Sequence, residues 1–79
     1  MKWQKRKEME MESERKSFGQ NLRLARKQEG WTLQKVSELT GIPNQTLSRY
    51  ETGKNIPSVY QAYKLASLFG MTIEEMICD

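Results

Sequence analysis

The stretch TLQKVSELTGIPNQTLSRYET, Thr32 to Thr52, carries two short apolar-periodic segments on either side of one glycine. Thr32 is a good N-cap residue, and Val36 recurs with Leu39 or Thr40 at helical spacing, so the pattern predicts a helix over Leu33 to Thr40 that ends at Gly41. After the Ile42-Pro43 turn, Pro43 fixes where the next helix begins. That helix runs over residues 44–52, buries Leu47 and Tyr50, and has Gly53 as its C-terminal glycine. Ser37 falls where the two helices would cross. Its small side chain lets them approach, and Val36, Ile42 and Leu47 fill the space around the crossing. Every other position on the second helix is polar and free to face outward.

Helix, glycine turn, helix is the order of a helix-turn-helix, in which the first helix braces the second and the second enters the DNA major groove. At about 100° per residue, Gln45 and Arg49 share one face, with Asn44 beside them. Asn and Gln amides pair with N6 and N7 of adenine, and Arg pairs with O6 and N7 of guanine, each pair discriminating by about 1–3 kcal/mol. Thr46 and Ser48 can add a thymine-methyl contact or a phosphate hydrogen bond. Alone, Asn44 and Gln45 would read as ordinary residues for a helix start. The helix that precedes them tips the reading toward base recognition.

Outward from this segment, glycines at 30, 41, 53 and 70 punctuate apolar residues at helical spacing, so the fold class is all-α. A first helix is predicted from Ser17 to Glu29, with Phe18, Leu22 and Ala25 on one stripe and Ser17 with Gln20 as a capping box. Ser58 with Gln61 opens a helix over Val59 to Phe69, whose inward face is Ala62, Tyr63, Leu65, Ala66 and Phe69. Thr72 with Glu75 is a second capping box, starting a last short helix whose Ile73, Met76 and Ile77 fold back on the core. Residues 1–16 stand apart as a charged N-terminal arm, flexible or loosely helical. They offer only Trp3, Met9 and Met11 as larger apolar residues, which leaves residues 17–79 as the folded domain.

At 79 residues the chain suits one small domain. A single Cys78 and no His argue against a Cys-based zinc site, an internal disulfide and His-dependent catalysis; no metal, cofactor or enzyme activity is expected. The first 16 residues lack the apolar core of a secretory signal, and no long apolar run suggests a membrane span, so a cytoplasmic, nucleoid-associated protein is expected. Net charge is +3, and residues 1–64 hold all 13 Lys and Arg but only seven of the ten acids. Such asymmetry suits a face for a polyanion.

From Phe18 to Ile77 the chain resembles the phage-repressor and Cro type helix-turn-helix proteins, the Xre family. The resemblance rests on the spacing of FGQNLRLAR, GWTLQKVSELTGIPNQTLSRYETGKNIPS and KLASLFGMTIEEMI. It implies a compact five-helix, lambda-repressor-like bundle in which Asn44, Gln45 and Arg49 take the principal base-contacting positions. It also implies that Thr32, at the start of the second helix, meets a phosphate, and that Lys54 and Asn55 grip the backbone of the same half-site. Arg26 and Glu51 fall where the family forms an ion pair between helix one and the end of helix three. Two departures stand out. Pro43 replaces the usual capping Ser or Thr, so the cap duty passes to Asn44, which then serves as cap or as base reader. Leu33 stands where a phosphate-binding Gln is common, which leaves that contact to the backbone and to Gln34 or Lys35.

The function expected is a sequence-specific transcriptional regulator of double-stranded DNA, a repressor, binding as a homodimer that can be monomeric in solution. Met71, Met76 and Ile77, or the arm, are the residues available for a dimer, and the same three suit core packing. A protein-interaction module with a protein partner is the alternative from another class. An apolar or acidic surface on the third helix would favour it, and the polar one argues against it.

Overall fold

The computed structural model describes residues 17–77, in which helices alternate with tight turns and no strand occurs. Helix α1 covers residues 17–28 of that range, followed by α2 (Leu33–Thr40), α3 (Asn44–Glu51), α4 (Val59–Leu68) and α5 (Ile73–Ile77). The predicted arm over residues 1–16 and Cys78 lie outside the described residues.

One core joins all five helices. Phe18 and Leu22 of α1, Val36 of α2, Leu47 and Tyr50 of α3, Ala62, Leu65 and Ala66 of α4, and Met76 of α5 are buried together with Ile42. Burial of such side chains is the main force holding a domain this small. Trp31 and Phe69, with ring centroids 5.7 Å apart, close one side of it.

The turns follow the sequence closely. Thr32 Oγ1 accepts from the Lys35 amide at 3.1 Å and caps α2; Gly41, with φ of 78°, ends it in a left-handed turn that glycine adopts without steric cost. Thr40 stitches this turn: its hydroxyl donates to the Val36 carbonyl at 2.8 Å and accepts from the Ile42 amide at 3.2 Å. Between Leu39 and Thr40, the structure therefore buries Thr40 and leaves Leu39 exposed. Thr72 and Glu75 exchange both bonds of a capping box, at 3.1 and 2.8 Å.

Several expectations are corrected. Ser17 is buried within α1 and does not stand at its N-cap. Ser58 caps α4 by accepting from the Gln61 amide, but the Gln61 side chain turns away to accept from the Tyr50 hydroxyl. Tyr63 is 64% exposed, because the buried stripe is Ala62, Leu65 and Ala66 with Phe69 beside it, and Tyr63 lies roughly 100° round the helix from it. Met76 is fully buried, and Met71 and Ile77 pack half-buried against the core. Met76 is thus a core residue with Met71 and Ile77 packed against the core, and the large exposed apolar side chains include Ile56, Val59, Tyr60 and Tyr63.

Candidate nucleic-acid interface

Helix α3 is seated by its inner face and by its C-terminal end. Leu47 is fully buried and Tyr50 nearly so. The Tyr50 hydroxyl donates to Gln61 of α4, and burial pushes its pKa above the ordinary tyrosine value. On the other side, α1 comes against the last turn of α3 at Gly19. A Cβ built on Gly19 would strike the Tyr50 carbonyl oxygen and stand 2.8 Å from that of Glu51, so only glycine permits this approach.

The Glu51 side chain completes the seat. Arg26 of α1 donates through Nε to Oε2 at 2.7 Å and through Nη2 to Oε1 at 3.0 Å, a two-pronged pair whose side chains are 13% and 8% exposed. The remaining prong, Nη1, donates to the Trp31 carbonyl at 2.9 Å. The hydrogen bonds and charge of Glu51 hold the Arg26 guanidinium above its ordinary range, against the opposing effect of burial. Arg26 is thus occupied within the fold and is not offered to a ligand.

The outer face is different in every respect. Asn44, Gln45, Ser48 and Arg49 are exposed, and Thr46 is half-buried at the flank. Arg49 makes no ion pair among the described residues, and as a cation in the last turn it sits favourably on the helix dipole. Asn44 does not cap α3. Pro43 holds the N-cap position with extended backbone and α3 has no side-chain cap; the Asn44 amide instead donates across to the Gln34 side chain of α2 at 2.7 Å. Cap and base reader were the two roles open to Asn44, and the first is removed.

The flanking residues are gathered round this face by backbone bonds. After α3 the chain reverses at Gly53, and the amides of Lys54 and Asn55 both donate to the Arg49 carbonyl, at 3.0 and 3.3 Å. That fold-back holds two exposed side chains beside the end of α3. At the other helix, Thr32, Gln34 and Lys35 are exposed over the first turn of α2, while Leu33 is packed against the core. Its burial explains why an apolar residue stands there.

Two functional supports escaped the sequence reading. Asn21 of α1 donates to the Met76 carbonyl at 2.6 Å and fastens α5, and Lys64 of α4 donates to the Thr40 carbonyl at 3.1 Å and closes the end of α2. Gly19 is a third such support, and its one signal is a glycine inside a predicted helix, unfavourable there unless packing requires it. Neither Asn21 nor Lys64 carries a comparable signal. Among the described residues no group of His, Cys, Asp and Glu could hold a metal ion, and no helix is long and apolar enough to cross a membrane.

Comparison with known proteins adds an independent line. The helix-turn-helix family profile matches residues 22–76. Over 52 residues the chain is 38% identical to the HTH-type transcriptional regulator AnsR of Bacillus subtilis, covering 66% of this chain and 45% of that one. It is 33% identical over 63 residues to the HTH-type transcriptional regulator y4dJ of Sinorhizobium fredii, covering 80% of this chain and 82% of that one. A third relative, the HTH-type transcriptional regulator YonR of the SPbeta prophage in Bacillus subtilis, is 28% identical over 60 residues, covering 76% of this chain. The chain spans less than two thirds of AnsR and of YonR, at 45% and 56% of their lengths. No solved structure gives a significant match.

Proposed function

The chain belongs to the helix-turn-helix family of the phage-repressor and Cro type, and from that premise we propose that it regulates transcription as a repressor, occupying operator DNA with α3 in the major groove. One observation carries this reading most. Helix α3 is fixed to the bundle by Leu47, Tyr50 and Glu51, while Asn44, Gln45, Ser48 and Arg49 are left on the surface. A polar helix held this firmly, with its amide and guanidinium groups outward, suits recognition of base edges.

In this reading Asn44, Gln45 and Arg49 read bases. Thr32, Gln34, Lys35, Thr46, Ser48, Lys54 and Asn55 contact sugar and phosphate, which sets register and adds the salt-dependent part of affinity. One unit of this size covers one half-site. Two copies then bind a pseudo-palindrome with half-sites about 34 Å apart, and the unbound chain can be monomeric. The protein works in the cytoplasm on the nucleoid and needs no cofactor.

Selection from a randomised duplex pool, repeated at several salt concentrations, tests the reading. Expected is a short symmetric motif with binding that falls steeply as salt rises. Salt-sensitive binding that enriches no motif would contradict it.

A further inference from the structure

Asn44, Gln34 and Glu38 form a chain of side-chain hydrogen bonds running from α3 back along α2. The Asn44 Nδ2 donates to Gln34 Oε1 at 2.7 Å, and Gln34 Nε2 donates to Glu38 Oε2 at 3.3 Å. All three residues are exposed on the side of the helix pair that carries the proposed base readers. Gln34 and Glu38 are four apart in α2, the spacing at which helical side chains meet.

The chemistry of the last member decides the sense of the whole chain. A carboxylate only accepts hydrogen bonds, so Gln34 must turn its NH2 group to Glu38, and its carbonyl oxygen then faces Asn44. Asn44 in turn must offer an N–H to that oxygen. What remains for a ligand is the Asn44 carbonyl oxygen together with its second N–H, one acceptor and one donor. That pair complements the N6 donor and N7 acceptor of adenine. Were the chain to run the other way, Asn44 would accept from Gln34 and present two N–H donors, which suit the two acceptors of guanine.

We propose that Glu38 is a specificity-determining positioning residue, which selects adenine at the base pair read by Asn44 by fixing the direction of this relay. The proposal rests on the reading of Asn44 as a base contact. Glu38 has no donor to offer to DNA and, as an anion, is repelled by phosphate; its role is exerted through Gln34 and Asn44. This also accounts for an acidic residue beside a surface otherwise suited to a polyanion.

The test is duplex selection with the full chain and three variants. Asn44→Ala identifies the base pair that Asn44 reads, by flattening adenine preference there roughly fivefold or more. Glu38→Gln is nearly isosteric but can donate as well as accept, so both senses of the relay become available. It is expected to lower the adenine-over-guanine ratio at that same base pair roughly threefold and to leave the other positions unchanged. Gln34→Ala should relax the same base pair. Removal of a negative charge at Glu38 raises affinity for all sequences alike, so the base ratio at one position is the readout and affinity is not. A Glu38→Gln motif identical to that of the unaltered chain, or altered evenly at every position, would overturn the relay. If Asn44→Ala changes no position, Asn44 reads no base and the relay falls while the regulator reading stands. If the unaltered chain enriches no motif, the regulator reading fails first.

Discussion

Helices α2 and α3 are both eight residues long, yet their ends are held differently. Helix α2 has local closure at both ends, the Thr32 cap and the Gly41 turn, besides its ties to α4 through Lys64 and to the core through Val36. Helix α3 starts at Pro43 with no side-chain cap, and its ties are to other helices, through Leu47, Tyr50, the Glu51–Arg26 pair and the close approach of Gly19. A short helix is marginal by itself, so α3 depends on tertiary contacts to exist at all. In exchange its outer face carries no structural duty. The residues that would read DNA are free of the residues that hold the helix, apart from Asn44, whose tie to Gln34 joins the two groups.

That contrast can be broken at its strongest point first. Gly19→Ala forces a Cβ onto the carbonyls of the last turn of α3, where backbone cannot yield cheaply, and should cost about 3 kcal/mol or more in thermal or denaturant unfolding. A stability loss below about 1 kcal/mol, the ordinary cost of an interior change, would show that the approach is not tight. Glu51→Ala leaves Arg26 partly buried without its carboxylate. Its expected cost is about 3 kcal/mol, and an unchanged melting curve would remove the pair from the account of how α3 is seated.

Local support should be worth less. Thr32→Ala deletes the α2 cap and is expected to cost about 1 kcal/mol, smaller than either change at α3. If it proves the most damaging of the three, the division between local and tertiary support is wrong. On the outer face, Arg49→Ala should move stability by less than about 0.5 kcal/mol while relaxing preference at one base position; Lys54→Ala, equally silent in stability, should weaken all sequences alike. Identical effects on the bound motif would erase the distinction between reading and gripping.

The two helices also differ in how much of them can be read from the sequence. Helix α2 is legible because its determinants are local: the cap, the glycine and the periodic apolar residues all lie within a dozen positions. The boundaries of α3 are equally visible from Pro43 and Gly53, and Leu47 and Tyr50 fall on the expected face. Its supports are less so. The Arg26–Glu51 pair came from a family resemblance and not from spacing, because a contact between residues 25 positions apart depends on how α1 lies across α3. The bond from Asn44 to Gln34 depends in the same way on the crossing of α2 and α3, so its neighbours alone leave Asn44 between cap and base reader. Tyr63 misled for a simpler reason. The apolar run in α4 is wider than the face it buries, and periodicity marks the stripe but not its edge.

In the proposed complex the outer face of α3 meets base edges in the major groove. Methylation interference on the selected operator addresses it directly, because the N7 of guanine lies in that groove and the N3 of adenine lies in the other. Methyl groups at guanine N7 within each half-site should block binding, and Arg49→Ala should abolish the block at one of those guanines. Interference confined to adenine N3, or unchanged by Arg49→Ala, would contradict the placement of α3.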